Sequence, residues 1–193
     1  MYMPTLRILK CRRWILLAVT ATLALAPVSG CGSTATAPTG AALTTTPARP
    51  VSPPGTVLVT GALKQPSPVT IDQLHGMAMH AVQVEFQNDK GTEHHTEVGV
   101  PLAQLIPPTA LATQDKKHDL LSFAVLAVGV DGYQAVVSYG EISPDFANKD
   151  VLVAVSEDGK PLSRPRLVVP GDVKGARYVI NLIELHVSRL TPA

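Results

Sequence analysis

From residue 55 onward the apolar positions recur mostly with the period of strands. Residues 56–62 (TVLVTGA), 79–86 (MHAVQVEF), 120–130 (LLSFAVLAVGV), 133–139 (YQAVVSY), 151–156 (VLVAVS), 166–169 (RLVV) and 177–187 (RYVINLIELHV) are Val-rich runs bounded by Gly, Pro or Asp. Each predicts a β-strand. In the last run Ile183, Leu185 and Val187 alternate with Glu184, His186 and Ser188, the pattern of a strand with one wet face. Residues 120–130 are apolar almost throughout and are expected to lie buried on both faces.

Helix signals are short and sit between the strands. Thr70-Ile71-Asp72-Gln73 has the form of a capping box, so a turn or two of helix should follow and end near Gly76. Residues 101–106 open with proline, which the first helical turn tolerates, and residues 138–146 make a third candidate interrupted by Pro144. Strands outnumber helices in irregular order, which predicts an α+β fold that is mostly β.

The first 54 residues differ in kind. Arg7 to Arg13 are basic, and residues 14–27 (WILLAVTATLALAP) form an apolar run shorter than the roughly 20 residues that a spanning helix needs. Val28-Ser29-Gly30-Cys31 follows and resembles the lipobox of bacterial lipoproteins, in which the cysteine is acylated and becomes the mature N-terminus. The resemblance implies a signal peptide over 1–30, lipidation at Cys31, a disordered Thr/Ala/Pro-rich tether over 31–54 and a folded domain over 55–193. An ordinary signal peptide or an uncleaved anchor are the alternatives in which Cys31 is incidental. Arg12-Arg13 loosely resembles the twin-arginine export signal, which carries proteins already folded around a cofactor. As flexible coil, the tether would hold the domain about 25–30 Å from the bilayer.

Charge follows the same division. The chain of 193 residues has a net charge of +1, yet residues 1–54 hold five basic side chains and no acid, leaving residues 55–193 with 11 basic and 15 acidic groups. A domain of net −4 does not bind nucleic acid or anionic lipid through a broad basic patch. Cys11 and Cys31 are the two cysteines, so cleavage and acylation would leave no free thiol. His94-His95, flanked by Glu93 and Glu97, is the most conspicuous pair of metal-ligand type. Adjacent strand residues point to opposite faces, so the two imidazoles could share an ion only from a loop. His75, His80, His118 and His186 lack ligand spacing, no Gly-x-Ser-x-Gly elbow or phosphate-binding glycine loop occurs, and Asp145, Asp150, Glu157 and Asp158 read as solvated acids.

Five segments in a row resemble the molybdopterin-binding domain of the sulfite oxidase family. They are Gly99-Val100-Pro101-Leu102 leading to Leu105, Asp131-Gly132-Tyr133, Asp158-Gly159-Lys160-Pro161-Leu162, residues 166–171 (RLVVPG) and residues 175–179 (GARYV). The resemblance implies that fold over most of residues 55–189. It also implies that the last of these loops lies over the pyranopterin and its phosphate, which makes Lys174, Gly175 and Arg177 the candidate cofactor-binding residues. Read from the residues alone, Lys174 and Arg177 are two cations on a solvated turn. Family enzymes hold molybdenum through a cysteine shortly after the strand that corresponds to residues 79–86; here the chain continues Phe86-Gln87-Asn88-Asp89-Lys90-Gly91. Neither amide replaces a soft thiolate. Ile180-Asn181 stands where family members often carry a second cation and a tryptophan, and the stretch 161–166 is shorter than usual.

These readings together predict a lipid-anchored protein of the cell envelope, with its domain outside the cytoplasm and attached to the membrane through Cys31. Its sulfite-oxidase-like domain would be degenerate and without catalysis, metal or cofactor, and would bind a small anionic ligand or an envelope protein. The alternative is a molybdopterin-dependent oxidoreductase whose metal is held without cysteine.

Overall fold

Nine strands in two sheets frame the described chain, which in this computed structural model comprises residues 52–115 and 119–190. The leader, Cys31, the tether as far as residue 51, and His118 lie outside the described residues. The first sheet has the order β2-β1-β9-β5-β6, formed by Val69–Thr70, Thr56–Gly61, Leu182–Arg189, Phe123–Gly129 and Gln134–Ser138. The second has the order β3-β4-β7-β8, formed by His80–Asn88, Gly91–Pro101, Leu152–Glu157 and Lys160–Val168. All pairings are antiparallel except that of β1 with β9. One apolar cluster draws on both sheets, with Val57, Val125, Ala127, Leu185 and Val187 from the first and Val84, Val100, Leu152, Val153 and Leu167 from the second. The fold is mostly β, as the runs of valine predict.

The local signals act where the sequence places them. Thr70 caps α1 (Ile71–His75), its hydroxyl accepting from Gln73 N at 3.2 Å while the Gln73 side chain accepts from Thr70 N at 2.8 Å. α2 (Leu102–Leu105) follows Pro101. α3 (Tyr139–Ile142) carries a second capping box between Ser138 and Glu141, and it stops before Pro144 rather than running to residue 146. Asp158 and Gly159 both have positive φ, 50° and 74°, the geometry of the two-residue turn that joins β7 to β8.

Three boundaries depart from the apolar runs. Leu120–Ser122 is a 3-10 turn, so β5 starts at Phe123; its burial on both faces is as expected, with only Leu126 partly open. The run 177–187 is broken by Asn181 at φ 53°, and β9 begins at Leu182. β4 was not legible as a strand, because GTEHHTE hides its alternation behind polar residues on both faces. Its pairing with β3 through a two-residue turn, Asn88 opposite Gly91, turns the stretch around His94-His95 into strand. Among the described residues no helix is long and apolar enough to cross a membrane.

The parallel β1–β9 pair depends on the absence of a side chain at its end. Gly61 has φ 89°, and a Cβ there would lie 2.1 Å from the Val187 carbonyl oxygen. Gly61→Ala is therefore expected to cost at least about 2 kcal/mol, read as a lowered midpoint in urea unfolding with an unchanged slope.

Candidate functional site

The segment between β8 and β9 carries the three residues expected to meet a cofactor, and it is tied down on three sides. Gln87 N donates to Val173 O at 2.8 Å, and Gln87 and Lys174 pair as a parallel bridge at the end of β3. Leu167 and Val179 exchange backbone bonds of 3.0 and 3.1 Å. On the third side Val130 N donates to Asn181 O at 3.0 Å, and the Tyr133 hydroxyl donates to the Ala176 carbonyl. The segment is thus held against β3, β8 and the β5–β6 turn.

Lys174 and Gln87, at the end of β3, are brought together through their backbones. Gly175 lies beside them, but its missing side chain is used by Phe86, whose ring would be 2.9 Å from a Cβ at that position. Arg177 is committed elsewhere. Its Nε and Nη2 donate to Asp172 Oδ2 and Oδ1 at 2.7 and 2.6 Å, and its Nη1 donates to both Glu141 oxygens at 3.1 and 3.2 Å. Asp172 above all, then Glu141, holds the guanidinium even more firmly protonated than usual. Burial opposes ionisation of Glu141, but the Ser138 N–H, Arg177 and Lys149 hold its carboxyl below the ordinary range. Two carboxylates of the chain's own therefore compensate the cation expected to face an anion.

Beside Gly175 the segment forms one wall of a cavity of about 230 Å³, lined by Asp131, Tyr133, Gly175, Tyr178 and Ile180. Tyr178 is 8% exposed and its ring meets Phe86 edge-on at 4.9 Å between centroids. Phe86 in turn stacks on His95 at 5.9 Å.

Beneath these rings lies an ionic cluster that sequence reasoning missed. Glu97 is fully buried, and Arg166 Nη1 donates to Glu97 Oε1 at 3.0 Å and to Glu157 Oε1 at 2.5 Å. Glu157 is thus bound by a guanidinium rather than solvated as expected. Burial pushes the Glu97 carboxyl up, and the neighbouring Glu157 charge adds to the rise against the opposing pull of Arg166 and His95. Glu97 Oε2, Arg166 Nε and the Tyr178 hydroxyl are buried and lack hydrogen-bond partners. Burial pushes the Tyr178 phenol up to about 12. The hydrogen bond with Asp158, at 2.9 Å, raises His95 despite partial burial, with Glu93 and Glu157 adding to it. The signal in the sequence was Glu93, His95 and Glu97 at alternate positions of what becomes β4; Arg166 lies on β8, reached across β7.

His94 and His95 separate across β4. His94 Nδ1 lies 3.5 Å from Glu85, while His95 faces Asp158, Glu93 and Glu157. Among the described residues no three His, Cys, Asp or Glu side chains are grouped to hold a metal ion. An open hollow of about 460 Å³ over this part of the sheet is lined by Gln83, Val84, Glu85, His94, His95, Thr96 and Asp158.

No family model and no curated protein matches the sequence. Among solved structures the fold is similar to the sulfane dehydrogenase SoxCD from Paracoccus pantotrophus, with a TM-score of 0.56 and 16% identity over 68% of this chain. This chain spans 37% of the length of that one. The likeness supports a sulfite-oxidase-like fold, in agreement with the resemblance carried by the five sequence segments.

The buried cluster sets a pH-dependent expectation. Arg166→Met leaves Glu97 enclosed without its counter-charge, which costs about 3–5 kcal/mol at neutral pH. Glu97 already has a raised folded-state pKa, so the folded form takes up its proton before the unfolded form does as pH falls. The deficit of Arg166→Met relative to the parent chain should therefore shrink between neutral pH and about pH 5, measured by urea unfolding at each pH. A deficit that stays constant over that range would mean that Glu97 is not the group left uncompensated.

Proposed function

We propose that this chain is a lipid-anchored protein of the cell envelope whose sulfite-oxidase-like domain binds without catalysing, at the segment formed by residues 172–180. The observation that carries the proposal is the donor set. The sequence has no cysteine after Cys31, and the position that follows the strand in family enzymes is taken by Gln87-Asn88 at the start of a tight hairpin. Amide oxygens are hard, neutral donors and do not replace a thiolate that stabilises an oxidised metal. Arg177 is spoken for by Asp172 and Glu141, Gly175 is filled by Phe86, and Ile180-Asn181 supplies no second cation. These residues do not fit a molybdopterin, and no chemical step is assigned to one.

The same geometry weakens the expectation of an anionic ligand. To reach Arg177 a small anion would have to displace two carboxylates already in contact with it, and without that displacement Lys174 is the cation of residues 172–180 left to meet it. A binding role at the neighbouring cavity, or for an envelope protein docking on this face, does not require that displacement.

Two measurements test the reading. Protein purified from its native envelope should contain molybdenum far below one atom per chain by elemental mass spectrometry, and stoichiometric metal would restore the oxidoreductase alternative. Cys31→Ser should abolish incorporation of labelled fatty acid and move the protein from the membrane to the soluble fraction; unchanged labelling and fractionation would remove the lipid anchor from the proposal.

A further inference from the structure

His95 meets carboxylates with both of its ring nitrogens. Nδ1 lies 2.9 Å from Asp158 Oδ2 in the β7–β8 turn, and Nε2 lies 3.4 Å from Glu93 Oε2 on its own strand, β4. A carboxylate oxygen accepts, so both contacts are hydrogen bonds only when both nitrogens carry a proton, which is the imidazolium form. The neutral ring has one N–H and one lone pair and can keep only one of the two contacts. We propose that His95 is a pH-sensitive switch that, on losing its proton, loosens Phe86 and through it the segment of residues 172–180. The proposal adds regulation to the binding role read for that segment, and it rests on that reading only for what is regulated.

The elements packed around the ring supply mostly negative charge. Glu93 and Glu97 come from β4, Glu157 from β7 with an oxygen 3.8 Å from Nδ1, and Asp158 from the turn that follows. Against them stands Arg166 of β8, which is bound to Glu97 and Glu157. Lys90, in the β3–β4 turn, acts on Glu93, and Lys160, at the start of β8, acts on Asp158. β3 contributes the uncharged Phe86 ring, while Glu85 of that strand pairs with His94 on the other face of β4. The Asp158 contact above all holds His95 above the ordinary histidine range, against the opposing effect of partial burial.

The path from His95 to the segment is one ring long. Phe86 stacks on His95 with centroids 5.9 Å apart, within the roughly 6 Å over which an aromatic ring attracts a cation. Phe86 also meets the Tyr178 ring edge-on at 4.9 Å and closes on Gly175, where a Cβ would fall 2.9 Å from its ring. Asp158 is the better-held partner of His95, because its Oδ1 also accepts from Thr96 N at 2.8 Å, so the longer Glu93 contact is the one given up. Losing the proton thus removes the attraction to Phe86 and turns a bare Nε2 lone pair toward the Glu93 carboxylate. Gly175 and Tyr178, which pack on Phe86, feel the change. Because the folded chain binds this proton more tightly than the unfolded one, the stabilisation is complete below about pH 6.5 and is lost as pH rises through the higher folded-state value.

The test is a pH titration of the full chain followed by NMR. The His95 ring resonances should titrate with a midpoint above that of the same histidine in the urea-unfolded chain, and the Phe86, Gly175 and Tyr178 amide resonances should shift with that same midpoint. His95→Gln keeps one hydrogen-bond donor and cannot take up a proton. It should remove the common midpoint from those three amides, together with the loss of urea resistance that the parent chain shows above about pH 6.5. Asp158→Asn keeps an oxygen for Thr96 N and removes the charge, and should weaken proton binding at His95 by about threefold or more, moving the midpoint of the three amides down with it. This second variant keeps the proposal testable if His95→Gln does not fold. A His95 midpoint at or below its unfolded value, a normal His95 titration with unmoved Phe86, Gly175 and Tyr178 resonances, or amide shifts that persist in His95→Gln would overturn the proposal. No ligand, lipid or metal enters these readouts, so they fail separately from the molybdenum and anchoring measurements.

Discussion

The pairing of Arg177 with Asp172 and Glu141 governs what the rest of this face can do. It joins two segments that are distant in the chain, since Asp172 and Arg177 lie between β8 and β9 while Glu141 belongs to α3. Glu141 in turn caps its own helix through Ser138 N and accepts from Lys149. A planar guanidinium with both edges occupied is a fixed strut rather than a receptor. It orients residues 172–177, and the backbone bonds of Val173, Ala176 and Val179 then set where Gly175 and Tyr178 stand.

Under that segment the second sheet holds an arrangement that an apolar core would not tolerate singly. Arg166 faces two carboxylates, and the ionised forms of Glu97 and Glu157 cannot both be fully compensated by one guanidinium. The surplus is spread outward through His95 to Glu93 and Asp158, both of which remain accessible to solvent. Phe86 and Tyr178 cover the cluster from above, so the ring that closes the buried ions also forms a wall of the cavity. Stability and site geometry are coupled through Tyr178, and a change in the ionic cluster should be felt at the cavity although no charged member of the cluster lines it.

The apolar code made the fold readable where burial is strong and left it unreadable where charge is buried. β5, β7 and β9 declare themselves by valine, leucine and isoleucine at the spacing their burial demands, and the capping boxes at Thr70 and Ser138 mark helix starts by local chemistry alone. β4 shows the opposite case. Its first seven residues are polar because one side of them carries Glu93, His95 and Glu97 into an ion network whose partners Glu157, Asp158 and Arg166 come from β7, the turn after it and β8, and such a long-range pairing has no period in sequence. The same limit applied at the site. Lys174, Gly175 and Arg177 were found from a resemblance, but whether Arg177 faces outward depends on Glu141, 36 residues earlier.

The cations of the segment between β8 and β9 pose a definite electrostatic problem. Lys174 and Arg177 lie three residues apart in the segment between β8 and β9, and cations so placed would repel one another and leave hydrogen-bond donors unmet without negative charge beside them. Here Asp172 takes one edge of Arg177 and Glu141 the other, so the chain itself supplies the negative charge. Once Arg177 is compensated from within, its guanidinium serves to fix the segment rather than to receive a ligand.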